Sequence, residues 1–392
     1  MRTFLAAGVL AALCSAPAAA GAADDPDAAA QARLEAQIAR ELGQAAPTAA
    51  APAAPGPPPG GASPFARLLL MPDLSAIASF AAVHDGYDVG ALSPRDGPQG
   101  PAGKLTFLFQ ELEVGLQAVV DPYARADVFI SFTPAEAAVE EAYLTTLGLP
   151  AGLQLRAGRF FSPFGRLNTT HPHTWDFLDA PLARGRLLAA ETLAGPGVDL
   201  AWLAPLPWFA ELHLAAQSTA PFGGEERLTG TGQLSQFFAL SDAATLGLGF
   251  SAARRDEGTG AFRDLAGIDV LLKVRPPAGR AYAKLEGELY ARTFRGAALP
   301  AAGGAGWGAW AQLFWRRDEH LGAGVRWERA PAAGGAAPGT EQRWSAVGDW
   351  FLTEFQRVGL QVARSARPAG ADGWEAVLHA EFILGAHGAH PF

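Results

Sequence analysis

The chain has 392 residues, of which 49% are hydrophobic and 18% are charged, and its formal net charge is −9. Its single cysteine, Cys14, excludes a disulfide framework and a cysteine-based zinc module, and the acidic balance argues against a nucleic-acid binder. After the N-terminus, no apolar run reaches the ~18–20 residues that a spanning helix needs, which excludes a helical membrane protein.

The N-terminus has the pattern of an export signal. Arg2 supplies a positive charge, residues 5–13 form a short apolar stretch, and small residues at 18–23 offer a cleavage site. This order predicts a signal peptide over residues 1–23, so we expect the mature chain to leave the cytoplasm.

Two short segments follow the predicted signal peptide. Leu34, Ile38 and Leu42 recur every four residues, which predicts a short periplasmic helix over residues 24–46. Residues 47–63 are rich in proline, alanine and glycine and offer no face that could pack, which predicts a linker.

From residue 64 to residue 392 the hydrophobic pattern has a period of two, which is typical of strands. Residues 282–292 show it most clearly, because six polar or aromatic residues alternate with five small or apolar ones. In a soluble sandwich the apolar face would cover a core, whereas in an outer-membrane barrel it faces lipid and the polar face lines a lumen. About sixteen strands are predicted, at 75–85, 104–119, 125–133, 138–148, 152–161, 197–204, 208–217, 228–240, 243–254, 264–275, 280–293, 306–316, 320–329, 341–352, 354–364 and 373–386.

The breaks between these strands favour the barrel. Breaks after even-numbered strands are short, whereas those after odd-numbered strands are mostly long, as at 86–103, 162–196 and 255–263; the break near 134–137 is an exception. Short periplasmic turns and longer external loops are typical of outer-membrane barrels. We therefore predict an all-β, transmembrane, antiparallel barrel over residues 64–392, in the outer membrane of a Gram-negative bacterium.

Charged residues on the polar strand faces are candidates for the lining of a lumen. Their mixture of signs is typical of a hydrated channel whose charges bias ion passage. Alternatively, these charges pair across neighbouring strands and hold the wall together. The lumen-lining candidates are Glu111, Glu113, Arg125, Asp127, Glu141, Arg156, Asp269, Lys273, Lys284, Glu286, Glu288, Arg292, Arg316 and Arg326.

Short motifs resemble known outer-membrane families. Residues 125–129, 140–144, 155–160 and 164–168 are similar to the phosphate-selective porin group and to related barrels labelled zinc-regulated TonB-dependent receptors. His171-Pro172-His173 strengthens the second similarity. The chain departs from such receptors because they carry a plug and about 22 strands.

The last residue, Phe392, follows an amphipathic strand. A terminal aromatic residue of this kind resembles the signal by which the barrel-assembly machinery recognises its substrates. The resemblance also implies contact with outer-membrane lipid and a homo-trimer that passes small solutes by passive diffusion.

In general porins the third external loop narrows the lumen, and by this resemblance residues 162–196 are the candidate constriction. The two imidazoles of His171-Pro172-His173, with nearby carboxylates, could bind a divalent metal, but hydrogen bonding within the folded loop is favoured, so we assign no metal and no cofactor. The constriction candidates are His171, His173, Asp176, Asp179, Arg184, Arg186 and Glu191.

No catalytic motif is found, and the closest pairing, His213 with Glu211, is better explained as part of a lumen lining, so we expect no enzyme. The predicted function is a diffusion porin. The alternatives are a substrate-specific channel, a plugless relative of metal or ligand receptors, or a non-conducting structural barrel.

Overall fold

The computed structural model describes residues 72–258, 260–276, 280–296, 305–333, 339–368 and 372–385. The predicted signal peptide (1–23), periplasmic helix (24–46), linker (47–63) and assembly signal (Phe392) lie outside the described residues and stay predictions. Within the described ranges, no helix is both long and apolar enough to cross a membrane.

Within these ranges the chain forms sixteen antiparallel strands that close into one barrel. Each strand pairs with its neighbours in sequence, and the barrel closes because β1 also pairs with β16. The strands are β1 (Asp73–Asp85), β2 (Leu105–Asp121), β3 (Ala124–Phe132), β4 (Ala137–Thr146), β5 (Leu153–Phe161), β6 (Ala194–Leu203), β7 (Phe209–Thr219), β8 (Arg227–Ser241), β9 (Ala244–Gly258), β10 (Ala261–Val274), β11 (Tyr282–Arg295), β12 (Gly306–Arg316), β13 (Leu321–Pro331), β14 (Thr340–Thr353), β15 (Gln356–Ala366) and β16 (Gly373–Gly385). The predicted fold class is confirmed.

Side chains alternate between the two faces of this wall, as strand geometry requires. On β11, Glu286 and Glu288 are buried inside the barrel, whereas the flanking Leu285 and Leu289 are 46% and 43% exposed. Large apolar side chains are exposed in the same way on the other strands. The barrel therefore has an apolar outer surface and a polar interior, which is the reverse of a soluble protein.

The connections reproduce the predicted asymmetry with one correction. β14 and β15 are joined by two residues, whereas β5 and β6 are joined by residues 162–193, and residues 133–136 remain the short exception. The predicted loop at 255–263 is wrong, since β9 runs to Gly258 and β10 begins at Ala261. The ladder continues there because Arg254 and Asp264 face each other and form an ion pair with an N–O distance of 2.7 Å.

Three of the described connections contain helical turns. Residues 86–104, which we call the first loop, contain α1 (Val89–Leu92), and the side chain of Asp88 accepts a hydrogen bond from the amide of Ala91 at its start. Residues 162–193, which we call the long loop, contain two 3-10 turns (Leu167–Thr169 and Pro172–Thr174) and a π-helical turn (Arg184–Leu188). A further 3-10 turn, Pro150–Gly152, joins β4 to β5.

The main apolar core lies inside the barrel, where the long loop meets the wall. Phe164 and Leu187 of the long loop are fully buried against Leu265, Tyr290 and Trp310 of β10, β11 and β12. The loop is thus anchored to the wall by burial of apolar surface, which favours one fixed position over a freely moving flap.

Candidate functional site

The base of the long loop is closed by one buried side chain. The amide nitrogen of Asn168 donates to the carbonyl oxygens of Ser162 and Leu193, at 2.9 Å and 3.0 Å, and its amide oxygen accepts from the Leu193 amide at 2.9 Å. Asn168 therefore replaces the backbone partners that the two strand ends lack where they diverge.

Beyond this base, the loop turns against the wall formed by β8, β9 and β11. The amide of Gly165 donates to Ser251 Oγ at 2.9 Å, and Gln233 donates to the Gly165 carbonyl at 2.6 Å. Glu288 Oε1 accepts from the Leu167 amide at 2.9 Å. Gly165 has a φ of 64°, and a Cβ there would lie 2.8 Å from Glu288 Oε1, so both the backbone angle and the close approach require glycine.

His171 connects the loop to β2 and β4. Its Nδ1 lies 2.9 Å from Glu113 Oε2 and 3.2 Å from Glu140 Oε2, and its Nε2 lies 3.1 Å from Glu141 Oε2. The Nδ1 of His173 lies 3.4 Å from the same Glu113 oxygen. Burial alone would lower the pKa of His171, but the three glutamates outweigh it and raise that pKa well above its usual value.

Two adjacent glutamates reach His171 because β4 contains a β-bulge. In the pairing of β3 with β4, Phe129 faces Glu141 and Ile130 faces Val139, so Glu140 is left without a partner. A bulge redirects a side chain that strict alternation would place on the opposite face. The sequence analysis missed Glu140 for this reason, because it assigned only Glu141 to the inner face.

The middle of the loop is held by β11, β12 and β15. Arg357 donates to the carbonyl oxygens of Trp175 and Asp176, at 2.8 Å and 2.9 Å. The Asp176 carboxylate lies 2.7 Å from Lys284 Nζ and accepts from Gln312 at 3.1 Å. Both the backbone and the side chain of this segment are therefore bonded to the wall.

Asp179 lies in a cluster of arginines, on the wall of β13 and β14. It forms ion pairs with Arg95 of the first loop (2.7 Å), with Arg343 (2.7 Å) and with Arg326. Burial alone would raise the pKa of Asp179, but the three guanidinium groups outweigh it and hold that pKa well below its usual range.

The loop therefore crosses the lumen. In the closed strand order β4 and β12 are eight positions apart and lie on opposite sides of the barrel. His171 contacts β4, and Asp176, five residues later, is bonded to β12. A segment bonded to opposite walls must pass through the space between them.

The remaining constriction candidates lie near the first loop or at the surface. Arg184 pairs with Asp96 at 3.3 Å, and Arg186 pairs with Glu341 of β14 at 3.1 Å. Glu191 is exposed, unlike the other six candidates. The structure thus brings six of the seven predicted residues into contact with the wall or the first loop.

The sequence analysis also missed the inward fold of the first loop. Arg95 forms an ion pair with Glu375 of β16, and the Tyr87 hydroxyl donates to the same glutamate. Ser93 Oγ donates to Glu341 at 2.5 Å. The period-two pattern ends before this loop and therefore predicts nothing about how the loop folds. The only sequence feature that points to an inward contact is one arginine, Arg95, between two prolines.

All fourteen lumen-lining candidates occur on strands, and several form pairs. Arg125 pairs with Asp127 at 2.6 Å, and Arg156 pairs with Asp199 at 3.0 Å. Similar pairs join Lys284 to Glu286 and Arg326 to Glu328. Pairing along and across strands, the alternative given above, is therefore common in this interior.

The fourteen lumen-lining candidates are distributed over the strands as follows: Glu111 and Glu113 on β2, Arg125 and Asp127 on β3, Glu141 on β4, Arg156 on β5, Asp269 and Lys273 on β10, Lys284, Glu286, Glu288 and Arg292 on β11, Arg316 on β12 and Arg326 on β13.

Two cavities with charged side chains in their lining border the long loop. One, of about 790 Å³, is lined by residues that include Glu113, Arg156 and His213. The other, of about 550 Å³, is lined by residues that include Lys273 and Arg316. Both are in contact with Arg166 and Thr170 of the loop, so the loop forms part of the boundary of each cavity.

Comparison with known proteins identifies the fold. No family model matches the chain. An uncharacterized protein of Aquifex aeolicus (strain VF5) is 28% identical over 396 residues, which cover 84% of this chain and 82% of that protein. Among solved structures, the anion-selective porin from Comamonas acidovorans is 10% identical and superposes with a TM-score of 0.56 over 80% of this chain and 99% of that one. OprB of Pseudomonas putida is 10% identical and superposes with a TM-score of 0.59 over 80% of this chain and 94% of that one. The outer membrane channel DcaP of Acinetobacter baumannii is 11% identical and superposes with a TM-score of 0.55 over 80% of this chain and 97% of that one.

At these identities the likeness concerns the fold, which is that of outer-membrane porins. The sequence-based resemblance to outer-membrane porins is confirmed at that level. The narrower resemblance to the phosphate-selective group stays a prediction.

Proposed function

We propose that the protein is a porin of a Gram-negative outer membrane, through which small hydrophilic solutes or ions diffuse passively. The observation that carries the proposal is that the long loop is bonded to opposite walls of the barrel. In this proposal the loop acts as a fixed constriction, and His171 and Asp179 mark the two ends of the crossing segment.

The polar interior supports this function. The two cavities beside the loop are lined by side chains of both charges, which suits a water-filled path better than a packed core. Rings of charge bias which ions pass. Lys273 and Lys284 border the second cavity together with Asp176 and Glu286, so both signs of charge line the proposed path.

The outer surface supports a membrane location, since exposed leucine, valine and phenylalanine side chains cover it. A homo-trimer, contact with outer-membrane lipid and assembly through the barrel machinery belong to the same proposal, and we expect no enzymatic activity.

Single-channel recording in planar bilayers tests the function. We expect the purified protein to conduct in discrete steps, and we expect larger steps when residues 170–188 are replaced by a short glycine-serine linker. The replacement keeps Asn168, which closes the base of the loop. As a control, Arg254→Gln alters an exposed pair on the outer surface and should leave conductance unchanged.

The outcomes separate the alternatives. An absence of steps favours a non-conducting structural barrel, and equal steps in the wild type and the loop replacement contradict the constriction. The reversal potential in a salt gradient then shows whether passage prefers anions or cations.

A further inference from the structure

We propose that His171, Glu113 and Glu140 bind one divalent transition-metal ion of the zinc class, which fastens the long loop to the wall of β2 and β4. The ligand atoms are His171 Nδ1 and the Oε2 atoms of the two glutamates. Nothing in this inference depends on solute passage, so it stands apart from the proposed channel function.

These atoms lie slightly closer together than the ligands of one zinc ion. Zinc binds imidazole nitrogen and carboxylate oxygen at about 2.0–2.2 Å in tetrahedral geometry, which places ligand atoms about 3.3–3.6 Å from one another. His171 Nδ1 lies 2.9 Å from the Glu113 oxygen and 3.2 Å from the Glu140 oxygen. All three ligand atoms lie within 4.8 Å of one another, so a small outward shift accommodates the ion.

The alignment of Glu113 is a second and independent observation. Glu113 is 2% exposed, and its Oε2 receives no well-aligned hydrogen bond although His171 Nδ1 is only 2.9 Å away. A buried carboxylate oxygen normally has an aligned donor, because leaving it without one costs about 1–3 kcal/mol. The Glu113 oxygen and the His171 nitrogen therefore face the same space without an aligned N–H between them, as two ligands of one metal ion do.

The surroundings of His171 also fit a metal ligand. Its Nε2 lies 3.1 Å from Glu141 Oε2, and the other oxygen of Glu141 accepts from the Phe161 amide at 2.8 Å. Ligating histidines usually donate their second N–H to a carboxylate, which fixes the tautomer and directs the free nitrogen to the metal. Glu141 would supply this support, while the bulge in β4 directs Glu140 to the ion.

The local excess of negative charge favours a cation with a charge of at least +2. In the part of the chain that the structure describes, the ion pairs of Glu113, Glu140 and Glu141 all go to His171 or His173. Three carboxylates thus converge on one imidazole and its neighbour. Glu113 and His171 also line the larger cavity, which offers an ion an access path from the solvent.

A second histidine in the same cavity provides a matched control. His213 lies 3.0 Å from Asp199 and 3.3 Å from Glu211, so it resembles His171 in its ligand types. However, Arg156 pairs with Asp199 at 3.0 Å and supplies the charge that a metal would bring. We therefore expect no ion at His213.

The test is metal binding to the folded, chelator-stripped barrel in detergent. Titration calorimetry with Zn²⁺ should give one site per chain, and Co²⁺ should give the visible absorption of a tetrahedral nitrogen–oxygen site. We expect His171→Gln and Glu140→Gln each to weaken Zn²⁺ binding at least ~10-fold and Glu141→Gln to weaken it by ~10–100-fold. His213→Gln should bind like the wild type.

The absence of a stoichiometric site in the wild type, or equal affinity in wild type and Glu140→Gln, overturns the proposal. Weakened binding in His213→Gln alone would place the ion elsewhere and overturn it as well. Glu140→Gln preserves the shape of the side chain at the bulge, so it remains a valid test if His171→Gln does not fold. These measurements do not involve conductance. A negative result for metal binding therefore leaves the proposed channel function standing, and a negative result for conductance leaves the proposed metal site standing.

Discussion

On the wall of β2 and β4, the long loop is held through one imidazole surrounded by carboxylates, whereas on the wall of β13 and β14 it is held through one carboxylate surrounded by guanidinium groups. His171 faces three glutamates, and Asp179 faces three arginines. The loop thus presents to each wall the charge opposite to that of the wall.

The two contacts differ in how well their charges are satisfied. Arg95 and Arg343 pair with Glu375 as well as with Asp179, so on the arginine side each buried charge has partners of the opposite sign. On the histidine side the acidic groups outnumber their partners. A satisfied buried network gives rigidity, while an excess of one charge favours an added ion.

The largest expected effect comes from breaking the arginine side. Asp179→Ala leaves three buried arginines without this shared partner, and removing one member of a buried ion pair costs about 3–5 kcal/mol. We expect this loss in the free energy of unfolding in urea, together with larger or noisier conductance steps. As a control, Asp264→Ala removes a half-buried carboxylate whose two partners, Arg254 and Arg295, are exposed, and such surface pairs contribute about 0–1 kcal/mol each. Equal losses in the two variants would contradict the role of the network.

The contrast between the two walls also shows what the sequence could predict. Period-two alternation placed all sixteen strands, since each strand of this wall needs one apolar and one polar face. Arg343 of β14 lies on the buried face of its strand but is not among the predicted lumen-lining residues. The alternation along β14 was sufficient to predict it.

Other parts of the site lay beyond such a pattern. Glu140 depends on a bulge, which adds a residue without leaving a periodic mark. Arg95 depends on how the first loop folds inward, and that is fixed by long-range pairs with Asp179 and Glu375. The long loop could be predicted from its length and its family resemblance, whereas its partners on the wall required the closed barrel.

A smaller effect is expected on the histidine side. Glu113→Gln in the presence of a chelator removes one of three carboxylates around His171, while Glu140 and Glu141 remain. The loss of this buried ion-pair partner of His171 and His173 should cost about 1–3 kcal/mol in the free energy of urea unfolding. The matched variant Glu211→Gln, at the partly exposed His213 pair, should cost less. A loss larger than that of Asp179→Ala would reverse the order of the two walls.

Glu191 tests where the contact surface of the loop ends. It is exposed, and substitutions of exposed residues away from specific contacts usually change stability by no more than about 0.5 kcal/mol. Glu191→Gln should therefore leave both the urea midpoint and the conductance close to wild type. Arg186→Gln, which loses a buried pair with Glu341, serves as the comparison and should destabilise the barrel clearly. Similar effects in the two variants would extend the contact surface to Glu191.

The smallest expected effect is that of mild acid on the contribution of Asp179 to the free energy of unfolding. Because the pKa of Asp179 is held well below its usual value of about 3.9, its contribution to stability is complete above that value and is lost only as the pH falls through the lowered pKa. Between pH 7 and pH 5 the carboxylate is ionised in both the folded and the unfolded chain, so no proton is taken up on unfolding. The difference in unfolding free energy between the wild type and Asp179→Asn should thus be the same at both pH values. A difference that shrinks at pH 5 would mean that Asp179 takes up a proton in the folded barrel, and the arginines would then not hold its charge.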